Sequence, residues 1–279
     1  MSSYAYYNGR FGKAEDIQIP LSDRATFFGD AIYDAAIGAY DRILWEGEHI
    51  DRFFDGARRV GMHLPFGKRW LSSLLREVAV KSMTESYFIY FQASRSNPVR
   101  THSASGAKIN LLITVSPIEI TPDPPPMRLI SVEDLRYGYC DIKTVNLMPA
   151  VLAQTRAEKC GCDEAVFIKN GFVTECTKSN ISVLNQGRVI THPISSEILP
   201  GITRAHLLSV CRGLGLEIEE RPLTKDELIS AEEIFITSCS KLCKTASHLD
   251  GVAVGGKNPS LSKKICEILY SQYENFCLI

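Results

Sequence analysis

The chain has 279 residues, 45% of them hydrophobic, so it can bury a large core in one large domain or two smaller ones. Its 31 basic and 32 acidic residues leave a net charge of −1, which gives no electrostatic footprint for nucleic acid or an anionic membrane. We therefore expect neither nucleic-acid nor membrane partners.

Hydropathy and cysteine usage narrow the class of protein further. No stretch of the sequence approaches 18 apolar residues, and the first residues lack the basic and apolar parts of a signal peptide, so we expect a cytoplasmic protein. The cysteines number nine and are scattered, with Cys160 and Cys162 the only close pair, which is a poor match to a disulfide framework. No second pair of ligands has zinc-site spacing, so we also expect no metal.

The first 120 residues carry the signals of a small α/β domain. Asn8-Gly9 supplies the positive φ angles of a tight turn and predicts an N-terminal hairpin over residues 4–12. Between residues 46 and 61 the apolar positions recur at i, i+3, i+4 and i+7, which is typical of an amphipathic helix. The other predicted elements are a turn and strand over 22–34, a helix over 70–83, and strands over 87–94 and 108–115.

A proline-rich segment divides the chain. Residues 121–126, Thr-Pro-Asp-Pro-Pro-Pro, can form neither a helix nor an inner strand, so we predict a linker there and a larger domain over 127–279. Within it the patterns predict strands over 127–132, 164–169, 173–174, 181–184, 216–220 and 233–237, and helices over 147–160, 202–214 and 224–229. The fold class expected is α+β, with two mixed α/β domains.

Residues 136–147, Arg-Tyr-Gly-Tyr-Cys-Asp-Ile-Lys-Thr-Val-Asn-Leu, place Lys143 at the end of an extended segment near a predicted helix start. A lysine held between aromatic and aliphatic residues can be desolvated, and desolvation favours the neutral amine that attacks carbonyl compounds. The alternative is a solvated loop lysine, because lysines are seldom buried.

Three further positions could bind a phosphate or another polar group of a ligand. Residues 198–204, Ile-Leu-Pro-Gly-Ile-Thr-Arg, form a turn that feeds a helix whose first amides are unpaired, and such a helix start attracts phosphate. Arg52 follows the predicted helix start and could turn inward to the same group, while Glu175 ends a predicted strand. The alternatives are an ordinary capped helix, a solvated arginine and a surface carboxylate.

Five motifs, in family order, resemble those of the fold type IV pyridoxal phosphate enzymes, and most closely the D-amino acid aminotransferases. The resemblance covers nearly the whole chain and implies pyridoxal 5′-phosphate as cofactor, with the active site at the domain and dimer interface. The motifs are Phe-Gly-Asp-Ala-Ile-Tyr at 28–33, His-Ile-Asp-Arg at 49–52, Cys-Asp-Ile-Lys-Thr-Val-Asn-Leu at 140–147, Thr-Glu at 174–175 with Ser-Asn at 179–180, and Leu-Pro-Gly-Ile-Thr-Arg at 199–204.

The resemblance also assigns roles. It implies that Lys143 carries the cofactor and acts as the catalytic base, and that Glu175 faces the ring nitrogen. The phosphate is expected to be held by Arg52, the backbone of Ile202, Thr203, and either Cys239 or Ser240. Ser-Cys-Ser-Lys at 238–241 departs from the family's usual phosphate turn, and Lys178 stands where small residues are usual and could add a cation near the ring.

Arg100-Thr101-His102 matches the Arg-x-His pair that binds the substrate carboxylate, together with a tyrosine at the position of Tyr33, in D-amino acid aminotransferases. A guanidinium fork binds a carboxylate in bidentate fashion, and the imidazole and phenol can fix its plane. In that family this loop reaches the neighbouring subunit's site, which implies a homodimer acting on amino acids and 2-oxo acids. A branched-chain L-amino acid aminotransferase, an aminodeoxychorismate lyase and a non-catalytic cofactor-binding protein remain alternatives.

Overall fold

The computed structural model describes residues 3–278, which form two compact units. The first unit contains residues 3–120 and Ile142–Asn146, and the second contains Thr121–Asp141 and Leu147–Leu278. The second unit opens with the proline-rich segment. The sequence assigns the whole lysine segment, residues 136–147, to the C-terminal domain, whereas the structure joins residues 142–146 of it to the first unit.

The first unit is built on a six-stranded antiparallel sheet in the order β2-β1-β6-β5-β3-β4. Its strands are β1 Tyr4–Tyr7, β2 Arg10–Lys13, β3 Ala31–Ala39, β4 Arg42–Ile43, β5 Ser86–Ser96 and β6 Lys108–Pro117, and its helices are α1 Arg24–Phe28, α2 Glu46–Arg59 and α3 Lys68–Ser82. The hairpin turn predicted at Asn8-Gly9 is confirmed, with φ angles of 45° and 91°.

The core of the first unit lies between this sheet and helices α2 and α3, and it explains why the lysine segment belongs here. Ile142 is buried in that core. Beside it, the Tyr33 N–H donates to the Lys143 carbonyl at 2.9 Å, and the Val145 N–H donates to the Ala31 carbonyl at 3.3 Å. Residues 142–146 thus run antiparallel to the start of β3, which fixes the backbone on both sides of Lys143.

The second unit is a ten-stranded mixed sheet in the order β12-β11-β10-β14-β15-β7-β8-β9-β13, with β16 paired to β15. The strands are β7 Met127–Glu133, β8 Glu164–Lys169, β9 Phe172–Cys176, β10 Asn180–Asn185, β11 Arg188–Thr191, β12 Glu217–Glu220, β13 Leu223–Thr224, β14 Glu233–Ser238, β15 Leu242–Leu249 and β16 Val252–Ala253. The helices are α4 Met148–Lys159, α5 Ile202–Gly213, α6 Lys225–Ser230 and α7 Pro259–Leu278.

The mixed α/β class predicted from the sequence is confirmed, and five elements of the second half are additions to it. The sequence patterns do not predict β11, β13, β15, β16 or α7. In the first half, the turn predicted before β3 contains the short helix α1, which Asp23 caps by accepting from the Ala25 N–H. Among the described helices, none is both long and apolar enough to cross a bilayer.

Candidate active site

Lys143 lies against the aromatic side chain of Tyr33. Its Nζ is 4.5 Å from the centroid of the Tyr33 ring, a distance at which the ring face attracts an ammonium group. Tyr33 stacks in turn on Tyr90, with 5.1 Å between ring centroids. The structure therefore brings together two of the predicted site residues, and the half-buried Lys143 is held at both its carbonyl and its amine.

Arg52 is fixed by a buried carboxylate. Its Nε and Nη2 donate to the two oxygens of Asp34, each at 2.8 Å, and His49 Nδ1 lies 2.8 Å from Asp34 Oδ1. The Arg52 side chain is only 14% exposed, so a solvated helix arginine is the wrong description of it. The fork that Asp34 makes with Arg52 sets the direction of the guanidinium before any ligand binds.

Burial and the neighbouring charges shift the pKa of the Asp34 carboxyl in opposite directions. Burial alone would raise the pKa of Asp34, but the Arg52 charge and the hydrogen bonds from His49 and Arg52 outweigh it and hold that pKa well below its usual range. Burial lowers the pKa of His49 below 6.5 despite its bond to Asp34. His49 is therefore neutral near pH 7, and its Nδ1–H points at an ionised carboxylate.

Glu175 ends strand β9 as a buried carboxylate, 6% exposed, and is not a surface residue. Its Oε1 accepts from Arg136, and its Oε2 accepts from Asn180 Nδ2 at 2.9 Å and from the Leu199 N–H at 3.1 Å. Burial alone would lower the pKa of Arg136, but the hydrogen bond to Asp134 and the charges of Glu175 and Asp134 raise it. These hydrogen bonds fix the direction of the buried Glu175 carboxylate.

The turn before α5 is tied to the same carboxylate. Asn180 donates to Glu175 and also to the Leu199 carbonyl at 2.9 Å. A Cβ added at Gly201 would stand 1.8 Å from Asn180 Oδ1, so only glycine fits there. Gly201 offers no side chain to cap α5, and the amides of Ile202 and Thr203, both buried residues, head a helix start suited to an anion.

The end of β14 carries two hydroxyls that the sequence analysis did not select. Thr237 Oγ1 and Ser238 Oγ are buried, and neither has a hydrogen-bond partner within the described part of the chain. Unpaired buried hydroxyls are unusual and fit a site whose partner is a ligand. The predicted residues Cys239 and Ser240 are half-buried in the turn that follows. The run Thr-Ser-Cys-Ser was the available signal, because four small polar or thiol side chains end a strand together.

The two basic departures from the family pattern share one carboxylate. Lys241 Nζ donates to Glu164 Oε2 at 2.8 Å, and the backbone N–H of Lys178 donates to Glu164 Oε1 at 2.8 Å. Glu164 is fully buried and also accepts from Ser179 Oγ at 3.0 Å. The Lys178 side chain is exposed. Lys241 therefore anchors the turn after β14 to the 177–179 segment.

Arg100 and His102 lie on the exposed loop between β5 and β6 and meet at one aromatic ring. The Arg100 guanidinium is 4.9 Å from the centroid of the Phe28 ring, and the His102 ring centroid is 5.4 Å from it. Phe28 thus holds the two predicted carboxylate-binding side chains side by side. A cavity of about 350 Å³ in the same unit is lined by His102 and by Thr144 and Asn146, which flank the lysine.

Comparison with known proteins identifies the family. The model of the amino-transferase class IV family matches residues 36–247. A D-alanine aminotransferase of Bacillus licheniformis is 34% identical over 265 residues, covering 93% of each chain. The fold is shared with the branched-chain aminotransferase of the thermophilic archaeon Thermoproteus uzoniensis, solved with norvaline (TM-score 0.87, 20% identity, covering 99% of this chain and 97% of that one).

A putative 4-amino-4-deoxychorismate lyase of Legionella pneumophila has the same fold, with a TM-score of 0.83 and 24% identity over 93% of this chain and 97% of the other. Class IV aminotransferases use pyridoxal phosphate, which confirms the cofactor that the motifs imply. The family match over most of the sequence, together with the 34% identity to a full-length relative, shows that the chain belongs to the class IV aminotransferases.

Proposed function

We propose that this aminotransferase transfers the amino group of a D-amino acid to a 2-oxo acid. The observation that carries the proposal is the pair Arg100 and His102, set beside each other on Phe28. A guanidinium and an imidazole arranged in this way offer converging N–H donors for one carboxylate. The 34% identity to a D-alanine aminotransferase supports the same substrate class.

Pyridoxal phosphate supplies an electron sink for the pair released when the substrate loses its α-proton. Lys143 would hold the cofactor through its amine, and its Nζ would accept the α-proton of the substrate as the general base. Glu175 faces the ring nitrogen, where its ionised state, supported by Arg136, keeps the nitrogen protonated.

The phosphate is held by Arg52, by the backbone of Ile202 and by Thr203. Their support is the guanidinium direction set by Asp34 and the uncapped start of α5. Ser240 or Cys239 completes the cup, and the unpaired hydroxyl of Ser238 is a further donor. Each of these groups binds and orients the cofactor phosphate. Their loss should therefore weaken cofactor binding more than it slows proton transfer.

Arg100, His102 and Tyr33 bind the α-carboxylate in this proposal, and the Arg-x-His loop serves a second copy of the chain in a homodimer. The loop is exposed and contains Val99, which is 67% exposed, and the ring of Phe27, 47% exposed, lies 5.6 Å from the Arg100 guanidinium carbon. Apolar residues grouped beside a polar loop are typical of a surface that another protein covers. A carboxylate held there directs the α-hydrogen of a D-amino acid towards Lys143.

The experiment is steady-state kinetics of the holoenzyme and of Arg100→Ala with D-alanine and 2-oxoglutarate. Turnover should require the 2-oxo acid, and Arg100→Ala should weaken donor binding by about 1.5–3 kcal/mol, the usual contribution of a hydrogen bond to a charged group, with the cofactor absorbance retained. Product release without any 2-oxo acid would favour the lyase alternative. An unchanged donor KM in Arg100→Ala would remove the basis of the proposal.

A further inference from the structure

Arg24, which none of the sequence motifs selects, holds the backbone of the Arg-x-His loop. Its Nη1 donates to the Thr101 carbonyl at 2.5 Å and the Ser103 carbonyl at 3.3 Å, and its Nη2 donates to the His102 carbonyl at 3.0 Å. Arg24 is only 4% exposed. One buried guanidinium therefore binds three consecutive carbonyls of the loop.

Two other contacts fix Arg24 itself. Its Nε donates to Asp30 Oδ2 at 2.7 Å, and its guanidinium carbon is 4.5 Å from the centroid of the Phe28 ring. Phe28 is also the ring against which Arg100 and His102 lie. Arg24 thus contacts the loop backbone and also the Phe28 ring, against which the side chains of Arg100 and His102 lie.

The loop has little regular structure of its own to replace this contact. Strand β5 ends at Ser96 and β6 begins at Lys108, and the residues between them, all of them described, form no helix or strand. A guanidinium carries five N–H donors in a rigid plane, so a single arginine can bind several carbonyls of the loop at once. The direction in which Arg100 and His102 leave the backbone then depends on Arg24.

We propose that Arg24 is a positioning residue for substrate recognition, which sets the geometry of the Arg100–His102 pair without touching the substrate. The inference rests on the proposed function, in which that pair binds the substrate carboxylate. A displacement of about 1 Å at a binding group can cost roughly 10²-fold in rate, so loss of the anchor weakens donor binding even though both binding side chains remain.

Arg95 provides a matched control in the same chain. Its Nη1 donates to the other oxygen of Asp30 at 2.6 Å, but its Nη2 donates to the Val60 carbonyl at 2.5 Å and not to the loop. Both arginine side chains are largely buried, at 5% and 16% exposed. Arg95→Gln therefore removes an ion pair with Asp30 and leaves the loop anchor in place, whereas Arg24→Gln removes both.

The test measures KM and kcat for D-alanine in holoenzyme carrying Arg24→Gln, Arg95→Gln, Arg100→Ala, or Arg24→Gln with Arg100→Ala. We expect Arg24→Gln to raise the donor KM about tenfold, with a smaller effect on kcat and none on the cofactor absorbance. The effect of the double variant on the donor KM should be smaller than the two single effects combined, because both changes act on the same Arg100–His102 pair. Arg24→Lys keeps the charge beside Asp30 but lacks the planar fork of N–H donors, so it should also raise the donor KM. It replaces Arg24→Gln in the test if the glutamine variant does not fold.

A second readout does not depend on catalysis. Tryptic cleavage between Arg100 and Thr101 should be about tenfold faster in Arg24→Gln than in the wild type, because cleavage follows the population of the loosened loop, and it should be unchanged in Arg95→Gln. Equal effects of Arg24→Gln and Arg95→Gln on KM and cleavage, or additive effects of Arg24→Gln and Arg100→Ala, would overturn the inference. A wild-type KM in Arg100→Ala would instead overturn the proposed function, and with it the role of Arg24 in substrate binding.

Discussion

The guanidinium of Arg136 donates a hydrogen bond to the carboxylate of Glu175 and lies between it and Asp134. Both acids are largely buried, with side chains 8% and 4% exposed. Arg136 therefore retains a carboxylate partner if either acid is replaced by its amide. This redundancy allows the proposed electronic role of Glu175 to be tested separately from its part in the fold.

Glu175→Gln should lower turnover at least about 10²-fold, because the charge that keeps the cofactor's ring nitrogen protonated is lost while the shape is preserved. The melting temperature should change little, since Arg136 still binds Asp134. Asp134→Asn is the control, in which Arg136 keeps Glu175 and most of the turnover should survive. Wild-type turnover in Glu175→Gln would exclude the proposed role.

Lys143→Ala should abolish turnover, because it removes both the amine that holds the cofactor and the general base, which by itself contributes about 10²–10⁴-fold. Borohydride reduction of the wild type followed by peptide mapping should find the cofactor on Lys143. Lys178→Ala is the control, since the Lys178 side chain is exposed, and it should keep its activity. Cofactor attached to Lys178 or Lys241 would refute the assignment.

Ser238→Ala should weaken cofactor binding without destabilising the apoprotein. Its hydroxyl is buried without a partner among the described residues, so the folded chain loses no hydrogen bond when the oxygen is removed. A bond to a charged phosphate is typically worth about 1.5–3 kcal/mol, which predicts a rise of at least about tenfold in the dissociation constant of pyridoxal phosphate. Titration of the apoprotein by absorbance measures this, with Ser182→Ala, another unpaired buried hydroxyl, as the comparison. Equal binding by both variants would remove Ser238 from the phosphate cup.

The Asp34 and His49 pair predicts a loss of stability in mild acid. The pKa of His49 is lowered in the folded chain, so below its ordinary value near 6.5 the unfolded chain binds a proton that the folded chain excludes. Lowering the pH from about 7.5 to about 5.5 should then reduce the free energy of unfolding through this residue. The pKa of Asp34 is also lowered, so its contribution is complete above about pH 4 and is lost only in stronger acid.

Thermal unfolding at the two pH values checks this. His49→Gln should show a smaller drop in melting temperature between them than the wild type, although its melting temperature at neutral pH is lower because a buried contact is lost. His63→Gln, at an exposed position, should leave the drop unchanged. The same drop in His49→Gln as in the wild type would contradict the account of this pair.

Local signals predicted much of the fold. The Asn8-Gly9 turn and the apolar spacing of α2 depend on neighbours within a few residues, and both elements appear where the sequence predicts them. Strand β15 was missed because its burial does not alternate with period two and its sequence is rich in polar residues. Helix α7 was not predicted, because Asn258-Pro259 at its start suggests a turn. Proline is, however, also favoured in the first turn of a helix.

The site residues that were missed depend on contacts between distant parts of the chain. Arg24 meets its carbonyl partners 77 to 79 positions along the sequence, and no local pattern distinguishes it from a surface arginine. Ile142 carries the lysine segment to the first unit because it packs into a core formed by residues far from it in sequence. The motif residues were selected from the family resemblance, which encodes such distant contacts, and their roles stay predictions.

The most direct test of the proposed function is the ratio of kcat/KM for D-alanine to that for L-leucine, with 2-oxoglutarate as acceptor. A carboxylate held by Arg100 and His102 orients the α-hydrogen of a D-amino acid towards Lys143, and misplacement of that hydrogen should cost an L-amino acid roughly 10²-fold or more. The account therefore predicts a ratio above about 10² for the wild type and a much smaller one for Arg100→Ala. A preference for L-leucine would contradict it and would assign the chain to the branched-chain type of the family.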